Sequence, residues 1–317
     1  MVACQMNINI NLHQPVLLSE ALHALAIQPD GVYVDATFGR GGHALAILQQ
    51  LGPFGKLLAM DKDPDAIAFA KHSFANDPRF TIEHGSFAKL SDFILQQGVM
   101  GQVNGILFDL GVSSPQLNNP ERGFSFLHAG ALDMRMDSSK GLSAAELLAT
   151  ITELQLATIL WEYGEERYSR RIARAIIMAR SEAPITTTTR LAEIIAKAHP
   201  AWQKGKHPAT RSFQAIRIAI NQELTDLSAG LLHSLKALNV HGRLAVISFH
   251  SLEDRIVKQF MQHHESGDTF PAKLPIKKAS IPSHFKRIGS AIKPNMQEIA
   301  SNPRARSAVL RIGEKLS

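Results

Sequence analysis

Short apolar runs alternate with longer amphipathic stretches through the first third of the chain. The runs lie at 32–36, 56–60, 80–84 and 105–108, and they predict β-strands. The stretches between them, notably 43–50 and 64–74, have helical patterns. Asp63 and Pro64 supply an N-cap acid followed by a proline at the first helical position. Strands that alternate with helices favour an α/β fold with a doubly wound, mostly parallel, Rossmann-like sheet.

The pattern changes after residue 116. Residues 118–141 are rich in Gly, Asn, Asp and Pro and indicate a loop, and capping boxes begin at Ser143 and Thr152. Helical patterns then follow at 157–161, 167–180 and 190–198, without a strand-like run between them. We therefore expect an all-helical insertion at 117–211, with residues 1–116 and 212–317 forming the core.

The chain returns to the sheet after the insertion. A long helix is predicted from Ser212 to about Leu238, because apolar residues recur along one face. Strands are predicted at 243–249 and 307–312, whereas 273–292 has no clear pattern.

The overall composition is that of a globular protein, with 45% hydrophobic and 20% charged residues. No apolar run reaches the roughly 18 residues that span a bilayer, so we expect no membrane partner. The polar N-terminus lacks the features of a secretory signal, and the one cysteine, Cys4, cannot form an internal disulfide. We expect a cytoplasmic protein. A net charge of +6 and a pI near 9.5 favour a polyanionic partner such as nucleic acid.

A glycine cluster directly follows the first predicted strand. Asp35 lies at the end of that strand, and Gly39, Gly41 and Gly42 come before the helix that starts near His43. Glycines allow a ligand to approach the backbone closely, and a helix N-terminus offers free N–H groups to a carboxylate or phosphate. This segment therefore predicts a nucleotide or nucleoside site.

Further polar and aromatic residues follow the other strands. Asp61 ends the second strand, Phe87 follows the third and Asp109 ends the fourth. Open α/β sheets bind ligands at the carboxyl ends of their strands. In a methyl-donor site, Asp35 would face an ammonium group, Asp61 would accept hydrogen bonds from ribose hydroxyls, and Phe87 would pack on adenine.

The glycine loop by itself fits two kinds of cofactor. Gly39, Gly41 and Ala44 also satisfy the dinucleotide fingerprint, with Asp61 about 20 residues further on. These residues alone leave both a nicotinamide site and an adenosylmethionine site open.

A series of longer motifs runs nearly from end to end of the chain. They are HQPVLL from position 13, ATFGRGGH from 36, DLGVSSPQL from 109, RGFSF from 122, LDMRMD from 132, YGEER from 163, HPATR from 207, SFHSLEDR from 248 and NPRARS from 302. In this order they resemble the bacterial ribosomal RNA small-subunit methyltransferase H family, also called MraW.

This resemblance implies a class I, S-adenosylmethionine-dependent methyltransferase core that carries a helical, RNA-binding insertion. The activity it implies is N4-methylation of a cytidine in the decoding region of 16S rRNA. It implies a partner in the 30S subunit or its precursor, and a homodimer is one possible oligomeric state. The cofactor contacts that it implies are Gly41, Gly42, His43, Asp61, Phe87, Asp109 and Gln116.

The target amine sets further requirements, because its lone pair is delocalised into the cytosine ring. A catalyst must align it with the donor methyl and accept its hydrogen bonds. Asp109 with Ser113 and Ser114 are the first catalytic candidates, and Asp133, Arg135 and Asp137 are second candidates. The aromatic residue that stacks on the base is open among Phe124, Phe126, Trp161 and Phe249, although Trp161 also fits a core position.

Several basic residues are candidates for RNA contact. They are Arg135, Lys204, Lys206, His207 and Arg211. Arg167, Arg170, Arg171 and Arg174 share one helical face, which fits either phosphate binding or a solvated surface paired with Glu165 and Glu166.

Ser251, next to His250, lacks the flanking glycines of a hydrolase nucleophile, so a structural or RNA-contacting role is expected for His250. No metal site is expected. Three rival functions remain: a nicotinamide-dependent oxidoreductase, a non-catalytic RNA-binding or ribosome-assembly factor, and a DNA amino-methyltransferase.

Overall fold

The computed structural model describes residues 15–202, 205, 207–266 and 283–317. The strands are β1 Val32–Asp35, β2 Lys56–Asp61, β3 Phe80–His84, β4 Val103–Asp109, β5 Leu238–Ser248, β6 Phe285–Arg287 and β7 Val309–Lys315. The α-helices are α1 Leu18–Leu25, α2 Gly42–Gln50, α3 Pro64–Ser73, α4 Leu90–Gln96, α5 Ser114–Asn118, α6 Ala144–Thr150, α7 Glu153–Gly164, α8 Ser169–Glu182, α9 Thr188–Ala198, α10 Ala209–Asn221, α11 Glu223–Ala237, α12 Ser251–Glu265 and α13 Met296–Ser301.

A seven-stranded sheet in the order β3-β2-β1-β4-β5-β7-β6 confirms the predicted α/β class. The first five strands of this order pair in parallel, and β7 and β6 add antiparallel pairings at one end. Because parallel strands all end at the same edge, β1, β2 and β4 bring their terminal acids to one side of the sheet.

The central strands are buried on both faces, which explains the apolar runs within β1, β2 and β4. Tyr33 and Leu107 belong to one hydrophobic cluster, and their neighbours Val34 and Phe108 belong to another. Successive side chains of a strand point to opposite faces, so β1 and β4 contribute to both clusters.

The chain forms two compact units. One comprises the described residues up to Gly111 and from Leu224 onward, and the other is Val112–Glu223. The second unit is built from α5 to α10 and has its own apolar core. Both capping boxes form as expected: the Ser143 and Thr152 side chains each accept a backbone N–H from the third residue of the helix that follows.

The long helix predicted from Ser212 to about Leu238 is wrong, because this stretch does not form one element. It is divided into α10 and α11 by Gln222, whose φ of 52° lies in the left-handed region. The α10 helix packs with α7 inside the helical unit, and its residue Phe213 lies in that unit's core. The compact helical unit accordingly extends to Glu223, and the domain boundaries at 116/117 and 211/212 stay a prediction.

Two smaller expectations also change. Trp161 is exposed rather than buried, because it lies at the edge of the α7 face on which Leu156, Ala157 and Leu160 fill the core. The last strand begins at Val309 rather than Ser307, since the preceding residues form a short 3₁₀ turn. Within the described residues, no helix combines the length and apolarity that crossing a bilayer requires.

Candidate active site

The loop between β1 and α2 requires glycine at two consecutive positions. Gly41 has a φ of +71°, and a Cβ there would lie 2.6 Å from Cζ of Phe38 and 2.9 Å from Cε2 of Phe74. At Gly42 a Cβ would collide with the ring of Pro15, which packs over the loop. A larger residue at position 41 would thus require both the backbone and the surrounding rings to move, and one at position 42 would require the Pro15 ring to move.

The acids that end β1, β2 and β4 are tied to this loop by hydrogen bonds. Asp61 accepts the backbone N–H of Gly39 at 2.7 Å and that of Asp63 at 2.8 Å. Asp35 accepts the N–H of Thr37 at 3.1 Å, and the Thr37 hydroxyl in turn accepts the backbone N–H of Asp109 at 2.6 Å. The predicted convergence of these acids at one sheet edge is therefore present.

All three acids share one electrostatic environment. Burial is the main cause that raises the pKa of Asp35 to about 7; the charge of Asp61 adds to this rise, and the hydrogen bond from the Thr37 N–H opposes it. Burial also raises the pKa of Asp61 to about 6. The pKa of Asp109 is held well above its usual value by burial, and then by the charges of Asp35 and Glu253. A site of this kind binds a cation readily, because a cation relieves the repulsion among the carboxylates.

Two oxygens in this cluster have an unmet capacity to accept hydrogen bonds. Oδ2 of Asp35 and Oδ1 of Asp109 are buried and have no hydrogen-bond partner among the described residues. Buried acceptors without partners are costly, so they mark a position that a ligand donor or cation fills. The ammonium and sulfonium groups of S-adenosylmethionine fit this requirement, because both are positively charged.

His43 lies at the start of α2 and faces the same cluster. Its Nε2 lies 3.2 Å from the carbonyl oxygen of Val16, and its Nδ1 lies 3.6 Å from Oδ2 of Asp109. Burial lowers the pKa of His43 to about 4, so the ring is neutral at pH 7. A carbonyl can only accept a hydrogen bond, so Nε2 carries the proton and the Nδ1 lone pair faces Asp109.

Phe87, the predicted adenine contact, is held in place from two directions. Its ring meets the edge of Phe108 at a centroid distance of 5.3 Å and an interplanar angle of 82°. It also packs against α11 at Gly230, where a Cβ would lie 2.9 Å from the Cδ2 atom of Phe87. The ring is thus fixed by packing before any ligand binds.

A polar network beside Phe87 was not predicted from the sequence. Asp226 of α11 accepts a hydrogen bond from the Ser86 hydroxyl at 2.5 Å and pairs with the Lys62 ammonium at 2.5 Å. This carboxylate joins the residues that directly follow β2 and β3. Nothing in the local sequence pattern indicates this link, because Asp226 is 140 residues from Ser86.

The remaining predicted cofactor and catalytic residues lie in the helical unit. Gln116 is buried and forms a capping box with Ser113 at the start of α5. The backbone N–H of Ser113 donates to Oε1 of Gln116 at 2.8 Å. Ser114 is the first residue of α5. Arg135 forms a two-point ion pair with Asp133, at 2.9 Å and 2.6 Å. Burial raises the pKa of Asp133, but the hydrogen bonds from Arg135 outweigh this and leave that pKa below its usual value.

The basic and aromatic candidates differ in how exposed they are to solvent. Among the RNA-contact candidates, His207 and Arg211 are exposed, and Lys204 and Lys206 lie outside the described residues. Phe124 is buried, whereas Phe126 and Phe249 are half-buried.

The arginine-rich face of α8, with Arg170, Arg171 and Arg174, is exposed, but its acidic contacts are not those expected from the sequence. Arg174 pairs with Glu153 at 3.4 Å, and Glu166 is instead buried 3.6 Å from His199. Elsewhere, His250 is the N-cap of α12, in a capping box with Glu253, which confirms its structural role.

Together, the sheet order, the glycine loop and the strand-end carboxylates define a class I, S-adenosylmethionine-dependent methyltransferase. The profile of the MraW methylase family matches residues 10–316, and the chain belongs to this family.

Two relatives with more than 50% sequence identity agree with this family membership. The ribosomal RNA small subunit methyltransferase H of Legionella pneumophila strain Corby is 58% identical over 96% of this chain and 99% of its own length. The protein of the same name from Coxiella burnetii strain RSA 493 is 54% identical over the same shares. Among solved structures, an rRNA methylase from Streptococcus thermophilus is 13% identical, with a TM-score of 0.38, over 96% of this chain and 99% of that one.

Proposed function

We propose that this chain transfers the methyl group of S-adenosylmethionine to N4 of a cytidine in the decoding region of 16S rRNA. The observation that supports the cofactor is the meeting of Asp35, Asp61 and Asp109 at one sheet edge, where two buried carboxylate oxygens lack partners among the described residues. The RNA substrate is inferred from relatives called ribosomal RNA small subunit methyltransferase H, which are 54–58% identical over nearly the whole chain.

The same carboxylates disfavour the nicotinamide alternative. The pyrophosphate of a dinucleotide lies against the glycine loop and carries negative charge. Here the loop is adjacent to Asp35 and Asp109, both of which have a buried oxygen without a partner in the described structure. An anion at that position would add to the repulsion, whereas a sulfonium nucleoside removes it.

For the reaction, S-adenosylmethionine supplies an electrophilic methyl group. Asp109 is our first candidate for accepting hydrogen bonds from the cytosine amine, because Oδ1 is buried and has an unused lone pair in the described structure. Positive charge develops on the amine as it attacks, so a carboxylate at this position stabilises the transition state. Ser113 and Ser114 stay candidates on the basis of their motif. Asp133 is a poor proton acceptor because Arg135 keeps its pKa low.

The helical unit, Val112–Glu223, is the proposed RNA-binding part. It contributes the exposed residues His207 and Arg211. The substrate is an unpaired cytidine in the 30S subunit or its precursor, because a base must leave its stack before the methyl donor can reach its amine. The expected compartment is the cytoplasm, where bacterial ribosomal subunits assemble.

The test is transfer of a labelled methyl group to small subunits that lack the modification, followed by nucleoside analysis. The wild-type protein should place label at N4 of cytidine, and Asp109→Asn should slow transfer by about 100-fold or more. Asp92→Asn, which neutralises an exposed acid of α4, is the matched control and should leave the rate unchanged. Unlabelled RNA from a folded protein that binds S-adenosylhomocysteine would overturn the proposal.

Two further measurements address the oxidoreductase and assembly-factor rivals. Preferential equilibrium binding of NAD over S-adenosylhomocysteine would favour an oxidoreductase. A non-catalytic assembly factor predicts that Asp109→Asn supports subunit maturation as well as the wild type does and that neither protein labels RNA.

A further inference from the structure

An aromatic series in the helical unit runs from its core to its surface. Phe213 is buried in the core, and the ring of Phe126 meets it at 4.7 Å with an interplanar angle of 69°. The imidazole of His207 lies over Phe126 at 4.7 Å and 36°, and the indole of Trp202 reaches His207 at 5.8 Å. Trp202 is 64% exposed, so the series ends in a large apolar ring that faces solvent.

Two histidines near Trp202 form local hydrogen bonds. Nδ1 of His199 accepts the backbone N–H of Ala201 at 3.3 Å, and Nδ1 of His207 accepts that of Ala209 at 3.2 Å. His199 is itself held 3.6 Å from the buried carboxylate of Glu166 and packs edge-on against Tyr168. These contacts restrain Ala201, the neighbour of Trp202, and His207, which reduces the conformational entropy lost when a ligand binds to the two rings.

The sequence segment that carries Trp202 and His207 is basic. From 194 to 222 the sequence has five Lys and Arg residues and no Asp or Glu. Arg211, one turn into α10, is exposed and donates to the backbone carbonyl of Glu165, so this hydrogen bond does not neutralise its charge. Exposed aromatic rings beside cations are what single-stranded nucleic acid binds: bases stack on the rings and phosphates meet the charges.

We propose that Trp202, supported by His207 and Phe126, is a stacking platform for an unpaired base of the substrate RNA. This proposal rests on the proposed function and adds a contact for the RNA within the helical unit. Stacking is tolerant of sequence because every base has a π-face, so the platform contributes affinity and alignment rather than base identity.

The chain offers a matched pair for a fluorescence test, because it contains only two tryptophans. Trp161 is 60% exposed, lies in the same unit, and has no ring stacked against it among the described residues. Each single-tryptophan variant, Trp161→Phe and Trp202→Phe, is titrated with a single-stranded oligoribonucleotide that carries the target cytidine. RNA should quench the emission of Trp202 and leave that of Trp161 unchanged. Equal quenching in both variants, or none in either, would overturn the platform.

Kinetics on small subunits provide the second readout. Trp202→Ala should raise KM for the subunits by about 5- to 150-fold, the range for loss of one base–aromatic stack, with kcat and S-adenosylhomocysteine affinity unchanged. Trp202→Phe should restore most of the loss, and Trp161→Ala should match the wild type. An unchanged KM for Trp202→Ala would refute the platform while leaving the proposed function intact. A wild-type protein that labels no RNA would instead refute the proposed function, and the fluorescence titration would still test the platform.

Discussion

Replacing Gly230 by alanine tests whether Phe87 forms part of the cofactor site. The new methyl group would project from α11 toward the ring, 2.9 Å from Cδ2 of Phe87 and 3.2 Å from Cε1 of Phe108. It would also lie 3.3 Å from the backbone oxygen of Phe87. A comfortable carbon–carbon separation is about 3.5–4.0 Å, so the Phe87 ring must move by several tenths of an ångström.

The expected change in stability is small because two effects oppose each other. Overpacking a buried site costs about 1–3 kcal/mol, and replacing glycine by alanine inside a helix gains about 1 kcal/mol. The net loss in the free energy of unfolding should therefore be about 0–2 kcal/mol. The effect on binding has no such compensation, since a displaced Phe87 no longer matches the adenine face. S-Adenosylhomocysteine affinity should fall by about 5- to 30-fold, corresponding to 1–2 kcal/mol.

Titration calorimetry gives the affinity, and thermal unfolding of the ligand-free protein gives the stability. Ser228→Ala is the control, because Ser228 lies on the exposed side of the same helix. That variant should bind S-adenosylhomocysteine as the wild type does. If Gly230→Ala also binds with wild-type affinity, Phe87 does not contact the cofactor and the reasoning is refuted.

Three further predictions follow from the described contacts. The raised pKa values of Asp35 and Asp61 mean that the ligand-free protein holds protons that the unfolded chain has released, so its stability should fall as pH rises from about 4 to about 7. Affinity for S-adenosylmethionine should rise over pH 5.5–7.5, and binding should release protons, which calorimetry in buffers of different ionisation enthalpy measures. Asp61→Asn should reduce this pH dependence. A wild-type affinity that does not change with pH would contradict the prediction. Thr37→Val leaves the Asp109 N–H without its acceptor and should cost about 1–3 kcal/mol in denaturant unfolding, whereas Thr37→Ser should cost less; equal losses would contradict the hydrogen bond. Gln222→Gly should leave the protein as stable or up to about 1 kcal/mol more stable, since glycine adopts the left-handed conformation without strain, and a clear loss in thermal unfolding would count against strain at that residue.

The sequence predicts the sheet and its terminal acids well because both depend on local signals. An apolar run that ends in an acid and a glycine loop marks where β1 ends, and the same logic places Asp61 and Asp109. The break at Gln222 has no such signal. The apolar pattern continues through that position, and glutamine is neither a helix breaker nor a typical residue for a left-handed backbone.

The parts of the site that the sequence misses depend on long-range contacts. Asp226 and Gly230 are one helical turn apart on α11, and they meet Ser86 and Phe87 only after the sheet has formed. Trp202 follows no helical or strand period, so no pattern connects it with Phe126. The structure connects the two rings, because His207 contacts both Phe126 and Trp202.

The unpartnered oxygens of Asp35 and Asp109 also have a consequence for turnover. Loss of the methyl group converts a sulfonium into an uncharged thioether, while the carboxylates around it keep their positions. Part of the attraction that draws the donor in is therefore absent for the spent nucleoside. The carboxylates at this edge of the sheet would therefore favour the exchange of S-adenosylhomocysteine for a new molecule of S-adenosylmethionine.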